Sequence, residues 1–337
     1  MNPIKTLHPN KIKTIGVFVE KDLIGESLLK LPFLQALRKA FPETHITWIV
    51  GIGSSPYASV LKPLVKDFLN QVIENAFPKK MRWRDLIQKN NLLPSFDMII
   101  NTENNLKKTL ILKRNPHSFF VCSLHSYLYS SLKPLNKKYK YPLHLTEKLL
   151  DLVDVAAQKK IQRTSFSVSM PSSISEKVSS IFDPKLKYIG LVPGAGNRKK
   201  CWPLEYFMEL SSFIRTKNFV PVWILGPQEN DMYEQLSTLC PGDIFPLQHY
   251  PAFTQSLLYT IAIAKFLTVC VSNDSGAGHL LAAGGCPIIS LFGHTKAEKV
   301  HPFSSSVVII KSRDFGSADI RTIPAEAVKL KLSSFLD

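Results

Sequence analysis

The chain has 337 residues, 45% of them hydrophobic and 10% aromatic, with a formal net charge of +16. That length exceeds the roughly 250–300 residues at which one core stops growing, so two domains are expected, and the composition excludes a disordered chain. No apolar run reaches the ~20 residues of a membrane span, Met1–Lys13 lacks the apolar core of a secretion signal, and five cysteines (Cys122, Cys201, Cys240, Cys270, Cys286) form no CxxC pair, so a cytoplasmic protein with reduced thiols is expected.

Thr14–Val19 (TIGVFV) has the length and apolarity of a buried strand. Leu28, Leu31, Leu34, Leu37 and Phe41 then form one stripe at helical spacing. Ile46–Val50 is a second strand, followed by a Gly/Ser loop at 51–55, and Phe96–Ile100 and Ser118–Cys122 are further strands. The basic cluster Lys133–Lys140 is expected as a loop or the start of a helix. A Ser-rich stretch, Thr164–Ser180, marks a linker, after which the pattern restarts. Tyr188–Val192 is a strand, Leu204–Arg215 a helix, Val220–Leu225 a strand and Asn230–Leu239 a helix. A helix around Thr254–Ala264, a strand at Phe266–Ser272, a helix from Gly276 and a strand at Ile288–Phe292 follow. The expected plan is an α/β domain over 1–165, a linker over 166–183 and a second α/β domain over 184–337, each with a parallel sheet. Such sheets bind ligands beyond the carboxyl ends of their strands, which points to a cleft between the two domains.

The charge is divided unevenly. Residues 1–165 hold 26 Lys and Arg against 12 Asp and Glu, whereas 166–337 hold 16 against 14. The first half is therefore expected to face something anionic: phospholipid headgroups, a phosphorylated glycolipid or nucleic acid.

Two segments carry chemistry. In Val271–Gly293 (VSNDSGAGHLLAAGGCPIISLFG) a strand runs into the polar turn Asn273-Asp274-Ser275-Gly276, and His279 lies one turn into the next helix. Amides at a helix start favour anions, and small residues let a phosphate approach the backbone; Asp274 and Ser275 equally suit simple capping. In Val192–Pro203 (VPGAGNRKKCWP) a strand enters a loop with Gly194 and Gly196, then the basic triplet Arg198-Lys199-Lys200, then Trp202-Pro203. Loop amides beside a lysine suit a phosphate group. The order is not that of a P-loop, so ATP hydrolysis is not implied.

Taken together, VPGAG–KxWP followed by NDSGAGHLLAA and LFG resembles the C-terminal half of the heptosyltransferases, glycosyltransferase family 9. Ile24-Gly25-Glu26, then Leu28–Pro42 (LLKLPFLQALRKAFP) and ITWIV, is similar to the family's N-terminal Gly-Asp and helix signature. The resemblance runs from about Ile15 to about Gly293, with residues 60–165 matching in general pattern. It implies a GT-B arrangement, two Rossmann-like domains facing across a cleft, with ADP-heptose in the C-terminal domain and a lipid-linked acceptor in the N-terminal one. It also implies inversion at the anomeric centre without a bound metal or cofactor.

By motif position Lys200 corresponds to the lysine that neutralises the diphosphate, and Asp274, Ser275, Gly276 and His279 to the donor-binding D-[TS]-G-x-x-H. Glu229 or Asp231 corresponds to an acidic residue contacting the ribose. The implied partners are a nucleotide-sugar, an anionic lipopolysaccharide-core acceptor and, peripherally, the inner face of the bacterial inner membrane; nucleic acid is not expected. Glu26 stands where the family carries the aspartate of Gly-Asp, its candidate base. A carboxylate is kept with one more methylene, Asp22 is a nearby alternative, and Glu26 also suits helix capping. His294-Thr295-Lys296 replaces the usual proline after LFG. Two other functions fit the residues: a nucleotide-sugar epimerase or hydrolase of similar fold, and a non-catalytic basic binding protein.

Overall fold

The computed structural model describes residues 11–77, 93–136, 139–163, 168, 170–304 and 306–336. The chain divides into two compact units, Met1–Thr164 and Ser165–Asp337. Each is organised on its own five-stranded sheet.

In the first unit β1 (Thr14–Val19), β2 (His45–Val50), β3 (Gln71–Ile73), β4 (Phe96–Asn101) and β5 (His117–Cys122) lie in the order β3-β2-β1-β4-β5, every pair parallel. The central strands are nearly continuous apolar runs because helices cover both faces. The helix Ile24–Ala40 begins earlier than its leucine stripe suggests, which places Glu26 inside the first turn rather than ahead of the helix. Pro32 lies within it and supplies no N–H to the preceding turn. Two side chains from elsewhere tie on to this stretch of the helix, Thr146 Oγ1 donating to the Leu29 carbonyl at 2.8 Å and Tyr57 OH to the Ser27 carbonyl at 2.5 Å. Thr146 belongs to the helix Leu145–Ala157, which packs along Ile24–Ala40.

In the second unit β6 (Tyr188–Val192), β7 (Val220–Trp223), β8 (Leu267–Asn273), β9 (Ile288–Phe292) and β10 (Val307–Lys311) lie in the order β10-β9-β8-β6-β7, again parallel. A parallel bridge from Val222 to Ile244 continues the sheet beyond β7. Trp202, Phe207, Leu210, Trp223, Val328 and Leu332 fill one face. Val178, Phe182, Ile263 and Leu281 belong to a second core cluster. The segment expected as a linker over 166–183 is therefore only partly one. Ser172–Ser179 is a helix, Val178 is fully buried, and Phe182 stacks on Phe266 at 4.8 Å. Among the described residues no helix is long and apolar enough to cross a membrane.

Both sheets change winding direction once, between β1 and β4 in the first unit and between β6 and β8 in the second. The carboxyl ends of strands at such a switch point leave room for a ligand. The residues singled out from the sequence lie at these two places.

Candidate functional site

In the second unit the two motifs, far apart in sequence, meet at the switch point. Asn273 ends β8 and joins them: its Nδ2 donates to the Pro193 carbonyl at 2.7 Å and its Oδ1 accepts from the Trp202 amide at 3.1 Å. Trp202 is buried and its indole N–H donates to the Ile323 carbonyl at 2.8 Å, so the loop is pinned at both sides. Lys200 is thereby delivered to Asp274, with Nζ 2.6 Å from Oδ2; the lysine side chain is partly exposed and the carboxylate buried. A cation held by a single acid at the mouth of a parallel sheet can exchange that partner for an incoming anion.

Ser275 caps the helix Gly276–Ala283, its Oγ accepting from the Gly278 amide at 3.2 Å, so the capping role foreseen for it is real. Space for a Cβ is open at Gly276 and at Gly196, which leaves the backbone there approachable. His279 is buried one turn into the helix, with its amide donating to the Ser275 carbonyl at 3.3 Å. Gly194 has a different reason to be glycine: a Cβ there would stand 2.3 Å from Cδ of Glu229. Glu229 ends a short turn after β7 and folds back over that loop, whereas Asp231 is exposed in the first turn of the helix Asn230–Leu239. Of the two acids named from the sequence, Glu229 is the one at the glycine loop. Desolvation raises its pKa, partly offset by a hydrogen bond from the Gly226 backbone, and nearby Asp231 adds to the rise.

In the first unit Glu26 is half-exposed at the mouth of a pocket of about 280 Å³ whose wall includes Lys30, Thr102, Asn104, Ser123, Tyr141 and Lys148. Asn104 Nδ2 donates to Tyr141 OH at 3.0 Å, Ser123 Oγ donates to Asn104 Oδ1 at 3.2 Å, and the two hydroxyls lie 2.7 Å apart. This closed ring of polar groups fixes one side of the pocket. Lys30 is buried, 2.9 Å from Asp22 and 3.8 Å from Glu26. Asp22 is a different kind of carboxylate from Glu26. It is buried and accepts from Ser27 Oγ (2.8 Å), Lys30 Nζ (2.9 Å), Trp48 Nε1 (3.0 Å) and Ser55 Oγ (2.7 Å). With four donors and no access it anchors the helix start, and it is not positioned to serve as the alternative base.

The model of glycosyltransferase family 9 (heptosyltransferase) matches residues 86–326, more than half of the chain. The chain belongs to glycosyltransferase family 9. Among its curated relatives are lipooligosaccharide heptosyltransferase 2 of Haemophilus influenzae, 21% identical over 308 residues and covering 86% of each chain, and lipopolysaccharide heptosyltransferase 3 of Escherichia coli, 20% identical and covering 84% of each. Solved structures with the same fold include a family 9 glycosyl transferase from Veillonella parvula (TM-score 0.70, 18% identity, 98% of each chain covered). Another is E. coli heptosyltransferase WaaC with ADP (TM-score 0.64, 16% identity, 96% and 99% covered). The GT-B fold expected of the two Rossmann-like units is thus found, and the protein is a glycosyltransferase of the heptosyltransferase family.

For this glycosyltransferase, sequence reasoning singled out Lys200 and Asp274 as donor contacts, but neither their pairing nor the residue that aligns them. Asn273 carries that role through two hydrogen bonds to residues 71 and 80 positions away. Its only signal was an amide side chain at the end of a buried strand, where a lone polar group needs partners. The Asn104–Ser123–Tyr141 ring was equally silent, since its members follow three different structural elements.

Proposed function

We propose that this glycosyltransferase moves heptose from ADP-heptose onto a hydroxyl of an anionic lipopolysaccharide-core acceptor, inverting the anomeric centre without a metal. The names of the curated relatives support heptose transfer to such acceptors. A neighbour of the same fold was solved with ADP-2-deoxy-2-fluoro heptose. The observation that carries the reading is the 2.6 Å pair of Lys200 and Asp274 at the switch point of the second sheet.

In the proposed step the acceptor oxygen bonds to the anomeric carbon while the bond from that carbon to the ADP oxygen breaks. The electron pair leaves with ADP, and the acceptor proton passes to a carboxylate oxygen of Glu26. Lys200, turning from Asp274 to the diphosphate, and the amides at Gly276 and Gly194–Gly196 meet the negative charge that grows on the leaving group. Glu229 is assigned to the ribose hydroxyls, and Asp274 and His279 to the remaining polar groups of the donor. The pocket beside Glu26 is assigned to the acceptor sugar. The basic first unit is assigned to the cytoplasmic face of the inner membrane as a peripheral contact, with no role for nucleic acid.

Calorimetric titration with ADP and UDP tests the donor half. ADP is expected to bind more tightly than UDP, and Lys200→Ala is expected to weaken ADP by at least about tenfold, as for loss of a charge-assisted contact. Equal ADP affinity in the wild type and Lys200→Ala would remove the diphosphate role.

A further inference from the structure

A second cationic cavity lies in the same unit, and neither Lys200 nor Asp274 is part of its wall. Its volume is about 760 Å³, and its lining includes Asn197, Arg198, Lys199, His294, Asp319 and Arg321. The short turn Arg198–Lys200, capped where Asn197 Oδ1 accepts from the Lys199 amide at 2.9 Å, divides the basic triplet. Lys200 goes to Asp274, whereas Arg198 and Lys199 line the cavity. Among the described residues neither of those two has an acidic partner within ion-pair distance.

The only acid in the lining is already engaged. Asp319 accepts from Arg321 through the backbone amide (3.0 Å), through Nε (2.9 and 3.1 Å to its two oxygens) and through Nη2 (2.5 Å). That contact also lowers the Asp319 pKa, so its charge is spent on Arg321. Two unmatched cations therefore share one concavity, where field lines concentrate and favour an anion. The cavity lies within the ~300–1,000 Å³ of small-molecule sites, so it has room for a phosphate group and for a molecule that bears one. The guanidinium and ammonium of Arg198 and Lys199 match phosphate oxygens.

We infer that this cavity is a second anion site, which takes a phosphate group and is separate from the Lys200 diphosphate cradle. It goes beyond the proposed transfer reaction and does not depend on Glu26 or on the identity of the sugar. The phosphate group is either carried by the acceptor saccharide or free as inorganic phosphate.

The test is calorimetric titration of the full chain with inorganic phosphate and, separately, with ADP. Saturable phosphate binding is expected, weakened at least fivefold in Arg198→Gln/Lys199→Gln and in Arg321→Gln, with the ADP affinity of both variants unchanged. Lys200→Ala should show the reverse, and retained ADP binding certifies that the other variants are folded. Phosphate affinity that is the same in the wild type and the double variant, or absent from the wild type, overturns the site. Transfer assays with core oligosaccharide before and after phosphatase treatment then distinguish the sources. If the acceptor carries the group, the double variant raises KM at least fivefold for the phosphorylated form alone. If the ligand is free phosphate, the double variant leaves both KM values alone and loses only the phosphate response.

Discussion

Glu26 and Asp22 sit four residues apart at the start of one helix, yet burial and partners give them opposite characters. Asp22 is closed off under Trp48 and two serines, while Glu26 keeps half its side chain in solvent and faces a pocket. Glu26→Gln is expected to lower kcat by at least about a hundredfold, the usual contribution of a general base, with donor affinity by calorimetry unchanged; wild-type turnover would shift attention to another proton acceptor. Glu229 is a third case. Its pKa is raised by desolvation above the ordinary 4.5. The stabilisation linked to its protonation is complete below the unfolded pKa and lost as pH rises through the folded value. Glu229→Gln should therefore raise the thermal midpoint at neutral pH, with the gain fading as pH falls towards about 4.5, while ADP affinity drops. A midpoint difference that does not depend on pH would contradict this. Lys200, Asp274 and Glu26 were legible in the sequence because each sits in a short motif whose chemistry is local. Asn273 as a clasp, and the fit of Glu229 over Gly194, are not local, because they depend on how separate strands end side by side.

The helix Ile24–Ala40 carries a proline in its middle and stays continuous, held beside the helix Leu145–Ala157. Thr146 is buried, and its hydroxyl fastens Leu145–Ala157 to the Leu29 carbonyl of that helix. Thr146→Val keeps the shape but removes the donor, and urea unfolding should show a loss of about 0.5–1.5 kcal/mol, the net worth of one buried hydrogen bond between the two helices. An unchanged midpoint would mean that this bond adds nothing to the packing of the two helices. The central strands were readable because each is mostly apolar over five to seven residues. The three-residue β3 is too short to give a pattern, and β10 is an edge strand of mostly intermediate burial. The helix Ser172–Ser179 was hidden by composition: its serines suggest a loop, although Ile174 and Val178 lie one turn apart on one face.

The two units differ sharply in charge although they share an architecture. The first carries nearly all of the excess, which matters at long range rather than for folding. Co-sedimentation with vesicles containing anionic phospholipid is expected at low salt and should fall steeply between about 0.1 and 0.5 M, as the Debye length shrinks, with no binding to neutral vesicles. Binding that is indifferent to salt, or absent, would rule out electrostatic docking. That the chain holds two Rossmann-like units was visible in its repeated strand and helix alternation. Where one ends and the next begins was less so, because the stretch between them contributes core residues as well as a connection.

Trp202 stands two positions from Lys200, with its amide fastened to Asn273 and its indole ring sealed in the core. A nucleotide that draws the lysine away from Asp274 must disturb the short segment joining it to that ring. With Lys200 in the proposed donor role, indole emission is expected to follow occupancy of that site in an unlabelled sample. Among the described residues the other two indoles, Trp48 and Trp223, are each bonded to their own buried carboxylate, and the fourth tryptophan of the sequence, Trp83, lies outside them.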